Sequence, residues 1–137
     1  MKSDGALAPL GQVLFRLVDL HGIDPQGFMR EVGIDPAVFR DPKARLPVRA
    51  VDAAFTKAAF LILDPAFGLR ATECWHPSNL GPVGYAWLSS GSLRTALKRL
   101  DRYSRILGSQ YRDNCVEESA GLRYVFDHGR NDTENQA

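Results

Sequence analysis

The sequence predicts an α+β fold, with a mainly helical N-terminal part of about six helices followed by a β-hairpin of an incomplete antiparallel sheet. Three observations carry this prediction. Apolar residues recur at three- and four-residue steps along most of the chain, the period of a helix with one buried face. Asp-Pro pairs recur at Asp24-Pro25, Asp35-Pro36, Asp41-Pro42 and Asp64-Pro65. Such a pair starts helices, because Asp accepts from free N–H groups and Pro pre-sets the first turn. Beyond Gly108 the period changes to two, with Leu122, Tyr124 and Phe126 alternating as in a strand.

The elements follow in order. A first helix runs from about Pro9 to His21, with Leu10, Val13, Leu14, Leu17 and Val18 on its apolar stripe and Gly22 as its stop. The echo "HGIDPQGF" and "VGIDPAVF" opens two short helices, Pro25–Val32 and Pro36–Phe39, and is too short for a solenoid repeat. Pro47 keeps Arg45-Leu46 extended. It also opens a helix to about Leu63 that buries Val48, Val51, Phe55, Ala58, Ala59 and Ile62. Asp64-Pro65 starts another helix through about Thr72, and "ECWHPSNLG" is a loop. Pro82 opens a short helix through Ser89, closed by Gly91, whose "GYAWL" reads as core.

Ser92 then caps a helix to Leu107, stopped by Gly108. Leu93, Ala96, Leu97, Leu100, Tyr103 and Leu107 form its buried face, and Arg94, Lys98, Asp101, Arg102 and Arg105 lie largely opposite, as a solvated face. Strands are expected near Tyr111–Glu117 and Leu122–Asp127, turning at Ser119-Ala120-Gly121. A lone hairpin is marginal in water, so these strands need a helical face, a partner chain or strands beyond Ala137. The chain is therefore expected to be a fragment, and the unpaired strand edge is expected to promote self-association. "RNDTENQA", residues 130–137, is polar and expected to fray.

Composition narrows the function. The chain has 137 residues, which suits one domain. Lys and Arg total 17 against 16 Asp and Glu, a net charge of +1. Nucleic-acid-binding domains ordinarily carry a basic excess to neutralise phosphates, so this segment is not expected to bind DNA by itself. The cysteines Cys74 and Cys115 make no disulfide framework. Gln12, Arg16 and Asp19 interrupt the first apolar run, which is no signal peptide. No stretch is long and apolar enough to span a membrane. The expected location is the cytoplasm, with no membrane partner.

The ordered run "GIDPAVFRDPKARLPVRAVDAAFTKAA", then "DPAFGLRAT", then "LGPVGYAWLSSGSLRTALKRLDRYSRIL" resembles the N-terminal effector domain of one branch of AraC/XylS-type transcriptional regulators, the arabinose-binding-like branch. The likeness covers about Leu10 to Asp127. It implies a ligand-sensing and dimerisation domain over residues 1–129, with a small-molecule effector as partner. It also implies that DNA is contacted only through a C-terminal pair of helix-turn-helix motifs absent from this sequence. Where the family usually has an acidic residue early in the long helix, this chain has Thr95, which weakens the capping box.

Candidate chemistry is sparse. "CWH", Cys74 to His76, suggests a metal, but zinc sites want several ligands at matched spacings, and a buried Cys beside a loop His accounts for the pattern. Ser89 and Ser90 have no evident base, and no phosphate loop, nucleophile elbow or carboxylate pair is present. The sequence predicts no enzyme, cofactor or metal. The candidate ligand-binding residues are Trp75, Tyr85, Trp87 and Tyr103, since pockets are mostly apolar with a few placed polar groups; the competing reading makes them ordinary core. Phe55 and Phe60 are expected in the core. A sensor domain of a transcription regulator, a stand-alone binding module and, last, a catalytic domain are the competing readings.

Overall fold

Helix α1 (Ala8–Leu20) is the axis of the molecule, with Leu14, Leu17 and Val18 buried along its inner row. The structure, a computed structural model, describes residues 5–127, so the fraying expected over 130–137 lies outside the described residues. Gly22 ends α1 in the left-handed region at φ 77°. There the Ile23 N–H reaches back to the Val18 carbonyl at 3.1 Å. Asp24 then accepts from the N–H groups of Gln26 and Gly27, and Pro25 begins α2 (Pro25–Glu31). Eleven positions on, the device repeats. Gly33 turns at φ 79°, Ile34 bonds back to the Met29 carbonyl at 2.9 Å, and Asp35 caps a 3-10 turn, Pro36–Arg40. The Gly-Ile-Asp-Pro echo is thus a stop and a start fused. Its second isoleucine, Ile34, belongs to the core.

A two-residue strand, β1 (Ala6–Leu7), pairs antiparallel with β2 (Arg45–Leu46). The extended Arg45-Leu46 was predicted; β1 was not, because two residues have no period. Helix α3 (Val48–Leu61) follows Pro47. It buries Ala54 and Ala58 instead of the bulkier row, while Phe55 and Ala59 are exposed and Phe60 is 80% exposed. Phe55 and Ala59 each sit one residue along from those alanines, rotated by about 100°. The helix has turned its small side inward, which corrects the predicted core places of Phe55, Ala59 and Phe60. The helix expected from Asp64 to Thr72 is also broken. Asp64 accepts from the Ala66 N–H at 2.8 Å, a 3-10 turn spans Phe67–Arg70, and α4 (Ala71–Cys74) follows. The expected "ECWHPSNLG" loop holds the second half of α4 and a further 3-10 turn, Pro77–Leu80, capped by His76.

Helices α5 (Pro82–Leu88) and α6 (Leu93–Leu107) pack on each other. Helix α5 ends on Ser89, not Gly91, with the Ser89 N–H on the Tyr85 carbonyl at 2.9 Å. Its "GYAWL" is core on one side only: Gly84 is buried next to Val83, Ala86 and Trp87 are half-buried, and Tyr85 and Leu88 are exposed. Ser92 caps α6 by accepting from the Thr95 N–H at 3.2 Å. The buried row of α6 is Ala96, Ser104 and Leu107, with Leu97 and Leu100 half-buried. Leu93, at 66% exposure, and Tyr103 fall outside it, which corrects the predicted face. The stripe is rotated so that a serine, Ser104, stands in the buried row, its hydroxyl donating to the Asp101 carbonyl at 3.1 Å.

Strands β3 (Asn114–Glu118) and β4 (Gly121–Val125) form the predicted antiparallel hairpin, with Cys115 opposite Tyr124 and Glu117 opposite Leu122. Tyr111 and Phe126 lie outside the paired residues. The hairpin leans on α6. The Cys115 N–H donates to Asp101 at 3.3 Å, and Glu117 pairs with Arg94 at 2.8 Å and Lys98 at 2.6 Å. The face of α6 expected to be merely solvated therefore holds the hairpin. The start of the chain closes over the same region. Ala6 bridges to Gly108, and the Gly5 N–H donates to Ser109 Oγ at 3.1 Å.

Candidate functional site

Between α1, α3 and β1 lies an apolar cavity of about 230 Å³. Leu10, Val13 and Leu14 of α1 face Val51, Ala54 and Phe55 of α3 across it, with Phe39 and Tyr111 also in its wall. Two small residues keep the space open. Ala54 lies on the inward row of α3, and Gly11 lets the Phe39 ring lie against α1, since a Cβ at Gly11 would stand 2.5 Å from Phe39 Cε1. The Tyr111 phenol is the lining's one titratable group, and its hydroxyl is the lining's polar side-chain group. The cavity's volume lies below the roughly 300–1,000 Å³ of drug-sized ligand pockets, which favours a small occupant.

The four predicted ligand residues are divided. Trp75 and Trp87 meet, with Leu80 and Leu100, around a second apolar hollow of about 270 Å³ between α5 and α6 on one side and the segment after α4 on the other. Tyr85 and Tyr103 are exposed and do not line it; the Arg102 guanidinium lies 5.6 Å from the Tyr103 ring centre. Sequence reasoning missed the residues of the first cavity. Gly11 inside an apolar helical stripe was the available signal, because a helix keeps a glycine there where something approaches closely.

The other motifs are accounted for locally. Cys74 is buried, and burial pushes its thiol up from the usual range, with the neighbouring Glu73 charge adding to this. His76 uses Nδ1 to accept from the Ser78 N–H at 3.2 Å. Among the described residues, no three His, Cys, Asp or Glu side chains are grouped to hold a metal ion. Ser89 and Ser90 donate to the Ala86 carbonyl at 3.2 and 2.8 Å. Each accepts from Arg99 at 3.1 Å, so a cation, not a base, holds both hydroxyls. No helix among the described residues is long and apolar enough to cross a membrane.

Comparison with known proteins decides the family. Residues 22–136 match the family described as the arabinose-binding domain of AraC transcription regulators, N-terminal. The chain belongs to this family. The resemblance seen in the sequence is thereby borne out. An ornithine utilization regulator of Pseudomonas aeruginosa is similar, 30% identical over 119 residues, which are 87% of this chain and 32% of the relative. The chain thus spans 32% of that relative's length. The family match begins at Gly22, just after α1. In this AraC-family domain, then, the helix that forms one whole wall of the cavity precedes the matched stretch.

Proposed function

We propose that this chain is the ligand-sensing, non-enzymatic regulatory domain of an AraC-type transcription regulator, and that the effector seats its apolar part in the cavity between α1 and α3. The observation that carries the proposal is that cavity, walled by side chains from separated parts of the chain in a member of this family. A ligand there touches α1, α3 and the Tyr111 segment together, and Tyr111 lies in the connection from α6 to the hairpin. Occupancy would therefore bias how the hairpin sits against the helical part. In the longer regulator, acting in the cytoplasm, that bias would pass to a C-terminal DNA-binding part carrying helix-turn-helix motifs. The Trp75–Trp87 hollow is a second candidate contact. The outer edge of β4 is a candidate surface for self-association, since among the described residues β4 pairs with β3 alone.

A thermal-shift screen of the chain over amino acids, sugars and small acids tests the proposal, because a ligand that binds the folded state raises the melting temperature by mass action. Basic amino acids belong in the panel, since the relative's name concerns ornithine utilization. The expected outcome is a ligand that stabilises the wild type but not Val51→Phe, in which a larger ring fills the cavity. A ligand that stabilises both equally would place the effector elsewhere.

A further inference from the structure

On the other side of Phe39 from the apolar cavity lies a cleft of about 260 Å³ with different chemistry. Its lining is Gln12, Phe15, Arg16, Gln26, Pro36, Phe39 and Arg40, which includes two guanidinium groups and two amides but no carboxylate. Several of these groups are fixed. Arg16 is anchored by donating one NH1 bond to the Cys74 carbonyl at 2.9 Å. The Gln12 amide is held at both ends: its Nε2 donates to the Phe39 carbonyl at 2.9 Å, and its Oε1 accepts from Asn79 at 3.0 Å. The Phe15 and Phe39 rings meet edge to face, with centres 5.9 Å apart. Among the described residues, Arg16 and Arg40 take part in no ion pair, and the Arg40 guanidinium makes no hydrogen bond.

We propose that this cleft is a binding site for a small carboxylate anion. Two like charges lining one cleft repel each other, and an anion between them turns that repulsion into attraction. The planar guanidinium fork matches a carboxylate with paired N–H donors. The anchored Arg16 is pre-organised for this, Arg40 is available, and the amide groups can take a second oxygen. The aromatic and proline surfaces offer an apolar bed for a short carbon body. A ligand carrying a second ammonium group, as ornithine does, meets the arginines with the wrong charge. The site stands apart from the effector cavity: the two share the Phe39 ring but no polar group.

Calorimetric titration of the chain with succinate, inorganic phosphate and ornithine at low ionic strength tests the proposal. Saturable one-to-one binding of succinate is expected, with phosphate and ornithine weaker. Arg40→Ala should weaken succinate about tenfold or more, the loss expected when a charge-assisted hydrogen bond is removed. Arg40→Lys should recover part of it, since lysine restores the charge without the fork. Arg105→Ala, on α6 and outside the cleft, should leave binding unchanged. Arg40 is exposed on a turn, and the melting temperature of each variant checks that it still folds. Absence of saturable succinate binding, equal losses from Arg40→Ala and Arg105→Ala, or phosphate or ornithine binding as tightly as succinate would each overturn the proposal.

Discussion

The helical part around α1 and the part made of α5, α6 and the hairpin are held together by different forces. The main buried cluster runs from Ala8 to Cys74 and draws on α1, α2, α3 and α4, the turn at Phe39 and β2. It takes no residue from α5, α6, β3 or β4. The second part buries little beyond Val83, Ala96 and Leu107. Its long-range ties are polar: Asp101 to the Cys115 N–H, Glu117 to Arg94 and Lys98, and Tyr124 to Asp113. Removal of apolar area from water is worth roughly 25 cal/mol per Å², whereas exposed ion pairs are worth little. The first part should therefore behave as a firm base and the second as a yielding attachment. One joint between them is Asn79, 1% exposed. Its amide donates to the Pro9 carbonyl at 3.1 Å and to Gln12 at 3.0 Å. Beside it, Gly84 packs so closely under the Pro77 carbonyl that a Cβ would stand 1.8 Å away.

The largest effect should come from the base. Leu17→Ala empties a fully buried site on α1 and should cost about 2–5 kcal/mol in denaturant melts. Asn79→Ala should come next, at about 1–3 kcal/mol, because it strands a buried carbonyl and a glutamine amide. Amide exchange of that variant should show α5, α6 and the hairpin losing protection while α1 to α3 keep theirs; uniform loss would merge the two parts into one cooperative unit. A smaller effect is expected from pH. Burial first, and the Asp113 hydrogen bond second, raise the Tyr124 phenol above its usual value. The folded state thus favours the neutral phenol, so its contribution is complete below about pH 10 and is lost as pH rises beyond that. Melts from about pH 8 to pH 11 should show the hairpin part weakening, and Tyr124→Phe should remove that dependence. The smallest effect is Leu93→Ala, under about 0.5 kcal/mol, since Leu93 is exposed at the flank of α6. A cost near that of Leu17→Ala would mean that the second part has an apolar core after all.

The contrast also separates what the sequence reveals from what it conceals. The Asp24-Pro25 and Asp35-Pro36 starts, the Gly22 stop and the Ser92 cap are local chemistry, and each appears where the residues place it; Asp41-Pro42 starts no helix, and α5 ends before Gly91. Which face a helix buries depends on its neighbour. Helix α3 seats Ala54 and Ala58, and α6 seats Ser104, although bulkier apolar residues lie beside each. Strand β1 was hidden because it exists only through its partners, Leu46 and Gly108. Of the predicted ligand residues, Trp75 and Trp87 line one hollow, whereas Tyr85 and Tyr103 are exposed. The apolar cavity and the arginine cleft are spaces between elements, and no single segment carries their outline. Arg16 and Arg40 line one cleft because two Gly-Ile-Asp-Pro turns fold the chain back beside α1.

The clasp at the start of the chain bears on how the protein is made. Gly5 is bonded to Ser109, 104 residues further along. A ribosome adding about 5–20 residues per second needs on the order of ten seconds between the two. The segment around Gly5 thus emerges well before its partners and waits for them to find its place. Until Gly108 and Ser109 arrive, β1 has only β2 to pair with, and closing so long a loop adds its own entropic cost. Helices α1 to α3 can gather around their alanines and leucines in the meantime. The N-terminal residues then fasten the finished base to the late-arriving α6 and hairpin, so that docking of the second part completes the first.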